Sequence, residues 1–254
     1  MSDPLPQLSP QRLKFADIGA WLRAGWQLFL CTRAISLAYA GLFCAIGAAL
    51  LFATINLGFT PMAIPLAGAF MLVAPILLCG FFSVADRVDA SETPRLAHLF
   101  DGFRRSPPGL WVLALVCTFL FLVWLTDAAT VYSLYFGTTP SFFLVQFLKA
   151  LFSEWSLISF LLFTSAMGAA LALVIFTISA FAVPLLFYRR TDLAGAVGAS
   201  VRAVFANFAV MMGWALLLSA ATFASILLFL PVFVVVFPVL AYASNHAYRA
   251  VYPG

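Results

Sequence analysis

Charged side chains are scarce in this chain of 254 residues. Asp, Glu, Lys and Arg make up 9% of it, against 65% hydrophobic residues. Soluble domains carry roughly a quarter charged residues and about half apolar ones. A water-soluble globule is therefore excluded, because too little polar surface exists to cover such a core. Histidine is scarcer still: only His98 and His246 are present. Both stand toward the charged segments, so two axial ligands at matched depth between helices cannot be assembled, nor can a haem–copper core. The four cysteines, Cys31, Cys44, Cys79 and Cys117, lie in or at the edge of apolar runs without C-x-x-C spacing. They read as small buried hydrophobes rather than disulfides or metal ligands. A Gly-rich phosphate loop, G-x-S-x-G and H-E-x-x-H are all missing, which leaves no nucleophile, nucleotide or zinc constellation. No metal, cofactor or catalytic residue is expected, and the chain reads as a non-enzyme. The net charge of +4 has no basic domain outside the apolar runs to carry it, so nucleic acid is not an expected partner.

What is present is length without charge. Apolar runs of about 20 residues or more recur without period-2 alternation, so lipid is the solvent and helices, not barrel strands, cross it. The expected fold class is all-α: a polytopic transmembrane helix bundle. Its expected spans are about 34–57, 62–84, 110–132, 156–187, 207–229 and 232–246, with a tight break at Pro231. Residues 207–246 leave a single broken helix open as the alternative, which would make five spans. Residues 1–14 carry three prolines and little periodicity, and are expected to be a disordered tail ahead of one membrane domain over 15–254. No apolar signal-peptide core lies in them.

Amphipathic stretches stand between the runs. Phe15, Ile18, Trp21, Leu22, Trp26 and Phe29 recur at spacings of three and four, which predicts an interfacial helix with two tryptophans at headgroup level. Leu96, Leu99, Phe100 and Phe103 form a second stripe after Thr93-Pro94, read as its N-cap and first position, and Pro107-Pro108-Gly109 ends it. Leu193, Ala196, Val197, Val201, Val204, Phe205 and Phe208 form a third, capped by Thr191-Asp192. A further stripe from Leu144 to Trp155 is expected on the opposite side.

The 13 Lys and Arg residues test orientation. Arg12, Lys14, Arg23 and Arg33 precede the first run. Arg87, Arg95, Arg104 and Arg105 follow the second, and Arg189, Arg190 and Arg202 follow the fourth. Arg249 follows the last, and Lys149 alone falls on the other side. With six spans, all clusters share one face, which the positive-inside rule makes cytoplasmic. Both termini are then cytoplasmic, and the bacterial inner membrane is the expected location. The pairs Arg104-Arg105 and Arg189-Arg190 are candidate contacts for anionic lipid headgroups.

A threefold echo runs through the chain. Val73-Ala74-Pro75-Ile76-Leu77-Leu78 returns as Ala182-Val183-Pro184-Leu185-Leu186-Phe187 and as Val236-Phe237-Pro238-Val239-Leu240-Ala241. Gly25-Trp26-Gln27, Gly102-Phe103-Arg104 and Ser200-Val201-Arg202 align ahead of them, 50, 82 and 38 residues before each proline. Pro75, Pro184 and Pro238 would free the carbonyls of Met71, Ala180 and Val234, as an interior proline does. These are the candidate lining positions of a midplane site. Asp127 is the acid nearest the membrane interior; about 27 Å along its helix from Gly109, it is expected at the outer interface.

Asp17, Trp21-Leu22 and Gly25-Trp26, the run Leu37-Ala38-Tyr39-Ala40-Gly41-Leu42, and the ending Val236–Ser244 with His246-Ala247-Tyr248-Arg249 together resemble the bacterial DUF2189 family. The resemblance implies an integral membrane protein without an established activity, so no site residues come with it. Two function classes follow. One is a non-catalytic protein that packs against other membrane proteins, or against its own copies, in the lipid bilayer, or that organises lipid. The other is a small transporter or channel for an apolar or weakly polar solute, with a cavity bordered by Met71, Ala180 and Val234. Ala45 and Ala49, with Gly41 nearby, offer a small-residue helix face for the first class.

Overall fold

A computed structural model describes residues 9–137 and 142–253, with residues 69–74 described by their backbone alone. Among these residues the chain is helical, and its one β contact is an isolated bridge between Phe59 and Phe142. The helices are α1 (Phe15–Cys31), α2 (Arg33–Asn56), α3 (Ala63–Asp89), α4 (Leu96–Arg104), α5 (Pro108–Phe136) and α6 (Leu144–Ala150). They continue with α7 (Trp155–Ser179), α8 (Ala182–Phe187), α9 (Leu193–Ala206), α10 (Phe208–Leu228) and α11 (Leu230–Val251). Four stretches among the described residues are long and apolar enough to cross a membrane: Arg33–Asn56, Pro108–Phe136, Trp155–Phe187 and Phe208–Val251. Helix α3, at 27 residues, has membrane-spanning length as well.

The helix ends have local causes. Thr32 interrupts α1 and α2 for a single residue, its hydroxyl bonded to the Leu28 carbonyl at 2.8 Å. Helix α4 begins at Leu96, two residues later than Thr93-Pro94 predicts. Arg95 is its extended N-cap, and His98 reaches back to accept the Arg95 N–H through Nδ1 at 3.0 Å. Pro107-Pro108 starts α5 rather than ending α4, since a proline at the first helical position loses no bond. Gly137 ends α5 at φ 76°, a conformation without steric cost for glycine. Asp192 caps α9 as expected, accepting from the Gly195 N–H at 2.9 Å.

Two breaks depart from the expected runs. The stretch 156–187 is not one continuous helix but breaks at Ala180–Phe181 into α7 and α8. The last break falls at the single extended residue Phe229, and Pro231 sits in the first turn of α11. Helices α10 and α11 then run antiparallel. The segment before α1 shows this, because it touches the start of one and the end of the other. Gln11 N–H donates to Val251 O at 3.1 Å, Arg12 to Ala206 O at 2.9 Å, and Leu13 N–H to Asn207 Oδ1 at 2.8 Å. The tail expected over 1–14 thus divides: 11–13 are tied down, while 1–8 lie outside the described residues. Most of the 137–140 loop lies outside them too.

Helix α1 does not simply float at headgroup level. It packs along α10 and α11, and Trp21 is buried edge-on against Trp214, with ring centroids 5.6 Å apart. Trp26 stays exposed, as an interfacial residue should. At the opposite end, Phe59, Tyr132, Phe136, Phe142 and Phe160 form an aromatic cap. Its closest pair, Phe136 and Phe142, lies 4.9 Å apart. The outer stripe forms only the seven-residue α6; Phe147 turns inward, whereas Phe152 and Trp155 remain exposed.

Candidate functional site

Three small residues bring helices into backbone contact. A methyl group added at Gly25 would lie 2.6 Å from Val239 O and 2.8 Å from Ala243 N. At Gly102 it would strike Cys79 O and come within 3.3 Å of Gly80 N. Ser200 accepts the Phe181 N–H at 3.1 Å and donates to Thr177 O at 2.8 Å. These are the positions that the sequence aligns ahead of each proline. The structure sets Gly102 against the Pro75 helix, Ser200 against the Pro184 helix, and Gly25 against the Pro238 helix. Each small residue packs on the proline helix that precedes it, and α1 takes the last one.

The ends of the same three helices converge on one polar junction. Asp86, near the end of α3, accepts the Tyr188 hydroxyl at 2.9 Å through Oδ1 and the Arg249 guanidinium at 3.2 Å. Arg249 also donates to Asp89 at 2.5 Å. Tyr188 follows α8, its ring stacks on Tyr248 at 5.5 Å, and its hydroxyl lies 3.4 Å from Asn245 Oδ1. Burial pushes the Asp86 carboxyl above the usual aspartate range, and the Tyr188 bond and Arg249 charge offset part of that. Burial also raises the Tyr188 phenol, with the Asp86 charge adding to it. The Asp86 and Arg249 side chains are about two-fifths exposed, so their attraction is screened and contributes about 1 kcal/mol or less. The junction orients three helix ends more than it stabilises them. A second knot lies nearby: the Tyr242 hydroxyl meets Thr32 Oγ1 at 3.0 Å and Ser36 Oγ at 2.9 Å, tying α11 to the α1–α2 joint.

The three prolines do not act alike. Pro75 and Pro238 lie inside continuous helices. Pro184 sits in the first turn of α8, where an absent N–H leaves nothing unpaired, and Ser200 takes up the Phe181 N–H at the break. Pro184 and Pro238 are buried. Asp127 is half-buried on α5, and its carboxylate makes no hydrogen bond or ion pair among the described residues. The helix runs on to Phe136, so Asp127 lies nine residues short of its end, beneath the aromatic cap. The arginine pairs converge: Arg189 donates to Arg105 O at 3.0 Å, and Arg190 to Tyr252 O at 3.1 Å and Pro253 O at 3.3 Å. Arg104 and Arg105 are exposed.

Two cavities open within the bundle. One, of about 240 Å³, is walled by apolar side chains of α2, α3, α5, α10 and α11. The other, of about 150 Å³, lies among α3, α5, α7 and α10 and includes Trp124, Thr164 and Ser219. Neither is lined by Ala180 or Val234, and the side chain of Met71 lies outside the described residues. No group of three His, Cys, Asp or Glu side chains among the described residues could hold a metal ion. Reading the sequence for candidate sites passed over Asp86, Tyr188, Arg249 and Tyr242. A usable signal was present, since acids Asp86 and Asp89 follow one proline run and Arg249 stands at the same offset, 11 residues, after Pro238 as Asp86 after Pro75.

Among the curated proteins and the solved structures, none matches this chain. A family profile described as "Predicted integral membrane protein (DUF2189)" matches residues 62–188. That is half of the 254 residues, from the start of α3 to Tyr188. It includes Pro75, Asp86 and Pro184. The Gly25-Trp26 segment and the His246–Arg249 ending lie outside it. The matched half alone contains two of the three proline helices that meet at the junction, and on that match the chain belongs to the DUF2189 family of predicted integral membrane proteins.

Proposed function

We propose that this protein is a six-span, non-catalytic protein of the bacterial inner membrane that works by packing against other membrane proteins during their assembly. The six crossings are α2, α3, α5, α7–α8, α10 and the first part of α11. The antiparallel course of α10 and α11 supports counting them separately. The joining of Arg12, Arg105, Arg189, Arg190 and Arg249 at one end supports cytoplasmic termini. The three helix contacts at Gly25, Gly102 and Ser200 support a threefold ring of pairs: α4 on α3, α9 on α7–α8, and α1 on α11.

One observation carries the packing role. Of the four stretches Arg33–Asn56, Pro108–Phe136, Trp155–Phe187 and Phe208–Val251, α2 is the least covered, with 17% of its apolar window buried. Its outward residues include Ala38, Leu42, Ala45, Ala49 and Phe52, spaced to share one face. Nothing lies within 4 Å of a methyl group placed at Gly41. Small residues let a neighbouring helix approach closely in lipid.

A photoreactive benzoyl-phenylalanine at Ala49, irradiated in native membranes, should give one discrete adduct with another membrane protein. The same probe at Leu134, which is 80% exposed on α5, should give none. An adduct of twice the chain mass would identify a homo-oligomer. Lipid adducts alone at both positions would overturn the packing role. Labelling of Arg104→Cys by an impermeant maleimide in intact cells would overturn the topology.

A further inference from the structure

We propose that the turn between α10 and α11 lies inside the hydrocarbon, and that an acyl chain of an outer-leaflet phospholipid fills the cavity beside it. This rests on the antiparallel course of α10 and α11 and refines the last pair of crossings. A helix pair that turns back within lipid still returns to the side it entered from, so the cytoplasmic termini are unchanged.

Helix α2 is the ruler. It runs from Arg33 to Asn56 with no charged or amide side chain between them. Its rise of about 34 Å matches a hydrocarbon core about 30 Å thick. The Cys44 thiol donates to the Leu230 carbonyl at 3.6 Å, and Leu230 is the first residue of α11. The turn therefore stands about 17 Å above Arg33, half-way along α2. Above that level α2 still bares Ile46, Leu50 and Phe52, which are 51%, 48% and 70% exposed, a surface suited to lipid.

The turn itself agrees with that depth. From Ile226 to Phe233 no side chain is polar, and Leu228 and Phe229 are exposed. The other outer turns carry Asn56 and Thr60, and Thr138 and Thr139. A turn in lipid must leave few backbone groups unpaired. This one is a single extended residue. Pro231 has no N–H, the Val232 N–H donates to Phe229 O at 2.9 Å, and Cys44 serves Leu230 O.

The cavity of about 240 Å³ joins Ile226, Leu230 and Phe233, around the turn, to Gly47 and Leu50 of α2 and Phe121 of α5. Leu50 lies beyond Cys44 toward the outer end of α2, which puts the cavity in the outer half of the core. Phe121 precedes Asp127 by six residues on α5, so that acid stays nearer the outer interface. An apolar cavity does not hold water. Ile46 and Leu50 line it and are half-exposed, so it opens sideways to the bilayer, where acyl chains are the surrounding matter. A methyl group at Gly47 meets nothing within 4 Å, so a larger side chain there would take the place of the acyl chain.

Two measurements on the full chain test this. In vesicles of phosphatidylcholine and phosphatidylglycerol, a phospholipid with a diazirine half-way along one acyl chain is photolysed, and adducts are mapped by peptide mass spectrometry. An outer-leaflet chain carries that group at about the level of Leu50, and an inner-leaflet chain at about that of Tyr39. Adducts are expected on Leu51 and Leu230, which line the cavity and are partly buried. Gly47→Leu should lose them while keeping those on exposed Leu122. No adducts on Leu51 and Leu230 in the parent, or adducts that persist in Gly47→Leu, would overturn the acyl-chain site. In intact cells an impermeant maleimide should label Asn56→Cys but not Phe229→Cys, and both should react after unfolding in dodecyl sulfate. Equal labelling in intact cells would overturn the submerged turn and leave the cytoplasmic termini standing.

Discussion

The two ends of the bundle are joined by different forces. At the arginine-rich end, helices meet backbone to backbone at Gly25 and Gly102, and side chains of Asp86, Tyr188 and Arg249 bridge three helix ends. At the other end, aromatic rings pack edge to face, and one short bridge, Thr60 N–H to Phe142 O at 3.1 Å and Phe142 N–H to Gly58 O at 2.9 Å, ties the α2–α3 turn to the segment after α5. Charge can be used where water reaches; within and just above lipid, contact area does the same work. The junction therefore specifies which helices meet, and the aromatic cap supplies more of the stability.

That contrast can be broken most directly at Phe160. It is fully buried among Tyr132, Tyr135 and Phe136. Phe160→Ala should cost about 3–5 kcal/mol, as large-to-small changes in packed cores do. Thermal unfolding in detergent measures it, and a loss under 1 kcal/mol would mean the cap is not a core. Next in size, Gly25→Ala should cost about 1–3 kcal/mol through overpacking against Val239 and Ala243. Gly41→Ala, with open space around it, should stay within about 0.5 kcal/mol. Equal effects at the two glycines would remove the close backbone approach from the account.

The smaller effects belong to the junction. In a double-mutant cycle of Asp86→Asn and Arg249→Met, the coupling should be about 1 kcal/mol or less and should shrink with added salt. A coupling above 3 kcal/mol would make the junction a stabilising core instead. The weakest effect is on pH dependence. Asp86 has a folded-state pKa above its unfolded value of about 3.9, because burial opposes its charge. Its contribution is therefore full below the unfolded pKa and is lost as pH rises through the folded one. As pH rises above the unfolded aspartate pKa of about 3.9, unfolding midpoints should fall less steeply in Asp86→Asn than in the parent. An identical slope in both would show that burial does not shift this carboxyl.

Much of the fold was legible in the chain, for reasons that can be named. The expected run 34–57 lies within a residue of α2, Arg33–Asn56, because its edges coincide with Thr32 and with Asn56-Leu57-Gly58. Asp192 capped α9 as its chemistry demands. The Gly25, Gly102 and Ser200 alignment marked three positions that turned out to meet backbone. The candidate site was much less legible. Its members lie 160 residues and more apart in part, as Asp89 and Arg249 do, and no local pattern reports such a pairing. Trp21 read as interfacial because periodicity shows a face but not what covers it, and here Trp214 does.

By itself, the sequence determined the solvent, the helical state and the face on which the arginines gather. Those follow from transfer free energy and from charge counted along the chain, and both are sums over residues taken singly. Only the tertiary structure decided that Pro184 sits at a break rather than within a helix, that α10 and α11 turn back on each other at Phe229, and that Trp124 is left with a donor facing no partner. Each of those depends on which side chain from a distant segment arrives at a given place, and that is set by shape, which no single stretch of chain carries.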